Sequence, residues 1–312
     1  MKKNKSKNIR GIVVALKANF LIVEIDHKDF KDQFANYFHE KVRFLCTRRS
    51  KLDYQGLFID VGDIVFVESV DYKNKRAVIS EVEPRKSFLK RPAVANVTLV
   101  SICISVDEPL FDMEQTSRFL LTAECANIKP LIVLTKIDLI TDHDLTSYIN
   151  KFNSWGYDCL PVSIHNSKGI DSVIERFRKT KLTVLAGPSG VGKSSLINYL
   201  IPTISLPTSS VSKKLKRGTH TTRHVELFEI GNGARLADTP GFNCPEIVCE
   251  PSDFADFFPE FRIQLTKSRC KFRNCLHRDE PGCSINKDLE RYPFYLKSLE
   301  KMISSRLPYQ EG

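Results

Sequence analysis

The sequence lacks any run of about 18 apolar residues, the length at which a helix can cross a bilayer, so no membrane span is expected. It also lacks the pattern of a secretory leader. The apolar stretch that follows the basic residues 1–10 is interrupted at Lys17 and Asn19, and no small-residue cleavage site comes after it. Internal repeats and low-complexity tracts are absent as well. These absences predict a cytoplasmic protein with ordinary globular domains.

Acidic residues are the minority, with 37 Asp and Glu against 47 Lys and Arg, for a net charge of +10. The basic residues concentrate at the N-terminus, in Lys213–Arg217 and in Arg262–Arg306, where eleven Lys and Arg face five Asp and Glu. Such clusters suggest a nucleic-acid partner, although a solubilising surface would have the same composition. The nine cysteines are an odd number, which fits free thiols in a reducing compartment and a metal site. A length of 312 residues allows two or three domains.

Short strands separated by turn residues fill the first part of the chain. The predicted strands are Ile12–Leu16, Phe20–Ile25, Val42–Cys46, Ile64–Val70 and Arg76–Val82. Five short strands in this space predict a small closed barrel. An OB-fold and an SH3-like barrel both fit the pattern.

After a basic, proline-bounded link at Pro84–Pro92, buried strands alternate with amphipathic helices. The predicted strands are Val97–Val106, Leu131–Leu134, Cys159–Val162 and Leu182–Ala186, and the predicted helices are Glu114–Asn127, Asp142–Ser154, Ile170–Arg178 and Lys193–Leu200. This alternation predicts a parallel sheet with crossover helices. Beyond Gly241 the pattern becomes irregular and cysteine-rich, and a last helix is predicted over Asn286–Arg306.

The segment Gly187–Ser194 matches the phosphate-binding loop pattern G-x-x-x-x-G-K-[ST], between a predicted strand and a predicted helix. Glycines let backbone N–H groups converge on phosphate oxygens, Lys193 reaches the β- and γ-phosphates, and Ser194 offers a hydroxyl to Mg²⁺. The predicted nucleotide-binding residues here are Gly187, Pro188, Ser189, Gly190, Val191, Gly192, Lys193, Ser194 and Ser195. The loop also resembles that of guanylate kinases, so a phosphotransferase stays open at this point.

Thr135-Lys136-Ile137-Asp138 follows a hydrophobic strand and resembles the N/T-K-x-D motif that reads guanine. The Asp138 carboxylate would accept hydrogen bonds from guanine N1–H and the 2-amino group, a donor pair that adenine does not present. Ser163 ends the next strand and resembles the serine of the S-A motif, although Ile164 replaces the alanine.

Asp238-Thr-Pro-Gly241 follows a strand and matches D-x-x-G, in which the aspartate holds Mg²⁺ through water and the Gly241 amide meets the γ-phosphate. Thr221 and Thr222 lie between this motif and the phosphate loop and could complete the Mg²⁺ shell. A guanylate kinase does not need these elements. The guanine motifs precede the phosphate loop, which predicts a circularly permuted GTPase whose motifs still meet at the carboxyl ends of the strands.

Cys270, Cys275, His277 and Cys283 supply three thiols and one imidazole within fourteen residues. This set predicts one tetrahedral, structural Zn²⁺ per chain, whose binding would stabilise a segment too short to bury a core. Cys244 and Cys249 offer a competing pairing, and free thiols are the other alternative.

In order and spacing, these motifs and Arg91–Val97 together resemble the small-ribosomal-subunit-dependent GTPase A family, RsgA or YjeQ. The resemblance covers nearly the whole chain. It implies an OB-fold RNA-binding domain over residues 1–87, a permuted GTPase domain over 88–245 and a mostly helical zinc domain over 246–312. It further implies late maturation of the small ribosomal subunit, binding to 16S rRNA, GTP and GDP, and subunit-stimulated turnover. We expect the protein to be a monomer.

Hydrolysis requires a group that orients the attacking water, and Phe242 stands where many GTPases have a glutamine after D-x-x-G. His220 in the preceding switch segment matches the catalytic histidine proposed for the family, and a solvent-facing loop histidine is the alternative. The rival function is a nucleotide-gated RNA-binding adaptor in which hydrolysis is incidental.

Overall fold

The structure is a computed structural model that describes residues 9–17, 20–26, 41–54, 56–202, 204, 225–239, 242, 245 and 247–305. In these residues the strands are β1 (Ile9–Lys17), β2 (Phe20–Ile25), β3 (Val42–Arg48), β4 (Ile64–Asp71), β5 (Arg76–Val82), β6 (Phe88–Lys90), β7 (Ala93–Ala95), β8 (Leu99–Ser105), β9 (Lys129–Thr135), β10 (Cys159–Val162), β11 (Leu182–Ala186), β12 (Glu226–Gly231) and β13 (Ala234–Asp238). The α-helices are α1 (Ser50–Tyr54), α2 (Met113–Cys125), α3 (Asp142–Ser154), α4 (Ile170–Arg178), α5 (Lys193–Leu200), α6 (Pro259–Lys267) and α7 (Tyr292–Ser304).

Strands β1 to β5 form a closed barrel. β1 pairs antiparallel with both β2 and β4, β2 pairs with β3, β3 runs parallel to β5, and β5 pairs with β4. This order, with a helix between β3 and β4, is the five-stranded OB-fold, whereas an SH3-like barrel is antiparallel throughout. Alternate apolar side chains such as Val23, Phe44 and Ile79 are fully buried inside the barrel. The OB-fold alternative is therefore confirmed.

The barrel belongs to one of two compact units, which comprises residues 1–99, 174–185 and 197–242. Within this unit the sheet continues from β1 to β12, then to β13 and β11. β12 and β13 form an antiparallel hairpin around Asn232 and Gly233, both with positive φ, and β11 runs parallel to β13. An Asn-Gly pair is the turn that a two-residue hairpin favours.

The second unit comprises residues 100–173, 186–196 and 243–312. Its strands follow the order β10-β9-β8, and β9 runs parallel to β10 as predicted. The C-terminal part has an aromatic core in which Phe258, Phe261 and Tyr295 pack together, and Leu121 of α2 joins it. Both units combine separate parts of the chain, and the domain boundaries after residues 87 and 245 stay predictions.

The last helix differs from its prediction. It begins at Tyr292 rather than Asn286. Pro293 has no N–H and is tolerated only in the first turn of a helix, so the helix cannot extend further back. The preceding residues form turns, in which the Asn286 side chain accepts a hydrogen bond from the Asp288 N–H.

Five strands and α-helices lie where none was predicted. α1 follows β3, β6 and β7 form a hairpin within and just after the expected link, β12 precedes the strand that leads into Asp238-Thr-Pro-Gly241, and α6 interrupts the irregular C-terminal segment. Every helix in the described part of the chain is too short or too polar to span a bilayer.

Candidate nucleotide and metal sites

The phosphate loop connects β11 to α5, as its motif predicts. Gly187, Gly190 and Gly192 have φ values of 131°, 87° and 93°, a region that residues with a Cβ rarely adopt. A Cβ at Gly187 would also lie 2.3 Å from the Cys103 carbonyl oxygen of β8. The glycines are therefore required both by the curl of the loop and by its close approach to the neighbouring strand.

Lys193 is the first residue of α5 and folds back over the loop. Its Nζ donates to the carbonyl oxygens of Gly187 at 2.7 Å and Pro188 at 2.6 Å. Burial lowers the pKa of Lys193, and the nearby Cys103 acts in the opposite direction. The loop thus holds a cation among backbone groups, as a phosphate-binding loop does.

Thr135 joins the guanine motif to the phosphate loop. It is buried at the end of β9, and its hydroxyl lies 2.7 Å from the carbonyl oxygen of Val191 in the loop and 3.2 Å from that of Ile104 in β8. Lys136 has a left-handed backbone with φ 60°, and its Nζ donates to the Glu108 carbonyl. Lys136 and Gly187 are 51 positions apart in the chain, yet the hydrogen bond from Thr135 to Val191 brings the two motifs into direct contact.

Asp138 and Ser163 lie together, as the two guanine motifs predict. The Ser163 hydroxyl donates to the Asp138 carboxylate at 2.5 Å, and this bond lowers the pKa of Asp138. Asp138 is exposed, whereas Ser163 is buried. The arrangement offers an ionised carboxylate to a ligand with two adjacent N–H donors.

Asp238 is the last residue of β13 and pairs across the hairpin with Glu226. Burial and, secondly, the Glu226 carboxylate raise the pKa of Asp238. The following Thr239 donates to the Leu185 carbonyl at 3.1 Å, which anchors the start of the motif to β11. Phe242 is buried. The predicted residues His220, Thr221, Thr222 and Gly241 lie outside the described residues.

The Cys270, Cys275, His277 and Cys283 side chains converge, with their candidate ligand atoms within 4.8 Å of one another. Nδ1 of His277 lies 3.5 Å from Sγ of both Cys270 and Cys283. Tetrahedral zinc with ordinary bond lengths would hold a nitrogen and a sulfur about 3.6 Å apart. Burial lowers the pKa of His277, which favours the neutral, ligating imidazole. The four residues could therefore hold a metal ion, and their spacing fits zinc.

Of the competing cysteine pair, Cys249 lies in the described residues and is not part of this cluster. Cys249 packs instead against the aromatic core of the second unit. Cys244 lies outside the described residues.

Three side chains that the sequence did not reveal surround the cluster. Glu280 accepts from the N–H groups of Leu276 and Arg278, at 3.0 and 2.7 Å. The Tyr295 hydroxyl donates to the Leu276 carbonyl at 2.7 Å. The Tyr292 hydroxyl donates to the carbonyls of His277 and Arg278, each at 3.0 Å. Only their proximity to the cysteines in sequence could have signalled them, since tyrosines on an amphipathic helix usually serve a core.

Glu226 is a neighbour of Asp238 that the sequence did not reveal, because β12 was not predicted. The Asn232-Gly233 turn signal, which lies between two apolar stretches of the sequence, would have found the hairpin.

Comparison with known proteins gives a consistent result. The sequence model of the RsgA GTPase family matches residues 82–248. Two proteins named small ribosomal subunit biogenesis GTPase RsgA resemble nearly the whole chain. The one from Prochlorococcus marinus strain NATL2A is 82% identical over 100% of both chains. The one from Parasynechococcus marenigrum strain WH8102 is 48% identical over 97% of this chain and 98% of the relative.

Two crystal structures resemble the whole chain. YjeQ from Thermotoga maritima has a TM-score of 0.75 and 28% identity, over 95% of this chain and 99% of that chain. YloQ, described as a circularly permuted GTPase, has a TM-score of 0.75 and 27% identity, over 98% and 99%. These matches favour the GTPase interpretation of the phosphate loop over a guanylate kinase. The chain belongs to the RsgA GTPase family and is a GTP hydrolase.

Proposed function

We propose that this GTPase acts in the late maturation of the small ribosomal subunit. It binds the subunit and its 16S rRNA in the GTP state and leaves after hydrolysis to GDP and phosphate, working as a monomer in the cytoplasm. The 82% identity to a small ribosomal subunit biogenesis GTPase over the full length of both chains carries this proposal. The OB-fold barrel and the net charge of +10 support an RNA partner.

Guanine recognition rests on Asp138, which accepts from N1–H and the 2-amino group, while Thr135, Lys136, Ile137 and Ser163 shape its surroundings. The hydroxyl contact between Thr135 and Val191 supports this assignment, because it fixes the base-reading motif against the phosphate loop. A fixed carboxylate discriminates against adenine, since it would be left without its donors.

Phosphate binding rests on the loop from Gly187 to Ser195, with Lys193 facing the β- and γ-phosphates. Mg²⁺, when bound with GTP, neutralises the charge of those phosphates. Ser194 and Asp238 supply oxygen donors for it, with Thr221 or Thr222, and the Gly241 amide faces the γ-phosphate. Hydroxyl and carboxylate oxygens are the donors that Mg²⁺ prefers.

The group that orients the attacking water is His220. The side chain that follows D-x-x-G is the buried, apolar Phe242, which cannot hydrogen-bond water. A polar group must therefore come from elsewhere, and His220 is the switch-segment histidine at the position that matches the family's proposed catalytic histidine. The subunit would stimulate turnover by fixing this imidazole over the nucleotide.

The cysteine and histidine cluster holds one structural Zn²⁺ through Cys270, Cys275, His277 and Cys283. Four protein donors fill a tetrahedral shell and leave no open position for catalysis. The chain then has an OB-fold domain over 1–87, a permuted GTPase domain over 88–245 and a zinc domain over 246–312.

The test is phosphate release from GTP and from ATP, with and without purified small ribosomal subunits. We expect hydrolysis of GTP alone and a rate that rises strongly with subunits. His220→Ala should lose most of the stimulated turnover, whereas the control His143→Ala, at an exposed position of α3, should retain it.

Turnover that ignores subunits would contradict the ribosomal role, and full stimulation of His220→Ala would contradict the catalytic assignment. Normal release of subunits from a Lys193→Ala protein that still binds them would favour the adaptor.

A further inference from the structure

Strand β12 links the barrel to β13, the strand that ends at Asp238 of the D-x-x-G motif. Its first residue, Glu226, pairs with Ala15 of the barrel strand β1 on one side and with Asp238 on the other. Asp238 is the last residue of β13, so the strand that presents it is hydrogen-bonded to a neighbour that is itself held by the barrel. A displacement of β12 would therefore move Asp238, because Glu226 and Asp238 are paired directly across the two strands.

Side chains of the barrel reinforce this connection. Arg43 on β3 places Nη1 2.8 Å from the Glu226 carboxylate and donates through Nη2 to the Leu227 carbonyl at 3.4 Å. Its Nε also donates to Glu24 of β2 at 3.2 Å, and the Glu24 carboxylate lies 2.9 Å from Nη1 of Arg235 on β13. Both strands of the hairpin are thus paired with charged side chains of the barrel: β12 through Glu226 with Arg43, and β13 through Arg235 with Glu24.

These pairs differ in exposure. Glu24 and Arg235 are 8% and 9% exposed, so breaking their pair would leave a buried charge without a partner, a large cost. The side chains of Arg43 and Glu226 are 43% and 39% exposed. A half-exposed pair contributes little to overall stability, which makes it the contact that can change without unfolding the barrel.

We propose that Arg43 is a positioning residue for GTP hydrolysis, which holds Glu226 and thereby fixes the place at which β13 presents Asp238. The inference rests on the proposed function, in which Asp238 serves the nucleotide and its Mg²⁺. Because β2 and β3 form the face that OB-folds use for oligonucleotides, a partner bound to the barrel would act on hydrolysis through this arginine.

The test is a double-mutant cycle of Arg43→Gln and Glu226→Gln, read on intrinsic GTP hydrolysis without subunits. We expect each variant to lower kcat by about fivefold with KM for GTP unchanged, since the nucleotide still binds. The double variant should lower kcat no further than either single variant, because both changes break one contact. Arg43→Lys, which keeps the charge, should retain most of the rate.

The matched control is Arg10→Gln, which breaks the ion pair between Arg10 and Glu83, 2.7 Å apart, elsewhere on the barrel. It should hydrolyse GTP at the wild-type rate. Thermal midpoints identify a variant that fails to fold, in which case Glu226→Gln and Arg43→Lys still decide the matter.

Wild-type kcat in both single variants, or losses that multiply in the double variant, would overturn the inference. A wild-type protein that hydrolyses GTP but ignores subunits would contradict the ribosomal role instead, and the cycle would still be read on the intrinsic rate.

Discussion

Asp138 is suited to guanine because of one neighbour. The hydroxyl of Ser163 donates to its carboxylate and lowers its pKa, so the carboxylate stays ionised and keeps its remaining lone pairs for a ligand. Two adjacent N–H donors on a base match such a carboxylate, whereas an amide in its place presents one acceptor and one donor.

We predict that Asp138→Asn weakens GDP binding by about 10³-fold or more, because the new amide donor faces the guanine 2-amino group. The same variant should bind xanthosine diphosphate, whose 2-oxo group accepts from that amide. Fluorescence titration with labelled nucleotides measures both affinities. The control Asp142→Asn, at an exposed position in the first turn of α3, should bind GDP normally. GDP binding unchanged in Asp138→Asn would contradict the assignment.

The sequence predicted residue identities at this site better than their contacts. The T-K-x-D pattern identified Thr135, but nothing in the pattern indicated that its hydroxyl lies 2.7 Å from the Val191 carbonyl of the phosphate loop. Glu108 likewise went unpredicted, because Lys136 contacts its backbone carbonyl and a backbone contact needs no particular side chain. Contacts of this kind depend on the fold rather than on a local signature.

At the scale of elements, the backbone around the proposed zinc ligands depends on α7. The Tyr292 and Tyr295 hydroxyls donate to carbonyls of residues 276–278, and the Glu280 carboxylate accepts from the N–H groups of Leu276 and Arg278. His277 itself has φ 56°, a strained conformation for a residue with a Cβ. The helix and the carboxylate therefore support a geometry that the ligand segment would not adopt alone.

We predict that Tyr295→Phe lowers zinc affinity by about tenfold, since it leaves the Leu276 carbonyl without its hydroxyl partner and loosens the ligand segment. Competition with a chromophoric chelator measures the affinity. Tyr148→Phe on α3 is the control and should bind zinc as the wild type does. Equal affinity in Tyr295→Phe would mean that the cysteines and His277 fix the geometry without α7.

Periodic elements were predicted closely, and elements set by tertiary context were missed. β2, β5, β10, β11, α3, α4 and α5 have the predicted bounds, because each is a short apolar run or an amphipathic stretch that ends at polar or turn residues. Helix α6 was missed because its apolar residues do not follow one clear stripe, and its buried Phe261 packs into a core formed with α7. The predicted start of α7 was wrong because Pro293 fits only the first turn of a helix, so the helix begins at Tyr292.

At the scale of the whole molecule, the order of the motifs places the basic C-terminal segment directly after D-x-x-G in the chain. Cutting the GTPase domain after D-x-x-G makes the segment beyond Asp238 lead straight to the cysteine cluster, where basic residues are dense. Lys267, Arg269, Lys271 and Arg273 are all exposed in that region. A charged surface of this kind can serve an RNA partner or merely keep the protein in solution, and salt dependence separates these two roles.

We predict that the affinity for the subunit falls by at least about tenfold between about 50 and 200 mM salt. Lys and Arg side chains that bind RNA phosphates release the counterions of the RNA, and this release is less favourable at high salt. Replacing Lys267, Arg269 and Arg273 together by Gln should flatten this dependence, whereas the control Lys297→Gln should not, since Lys297 is already paired with Glu114 at 2.8 Å. Sedimentation of the GTP-analogue complex with subunits measures the affinity at each salt concentration. A flat salt dependence in the wild type would mean that the basic charge only solubilises the chain, and an unchanged slope in the triple variant would move the RNA contact to another surface.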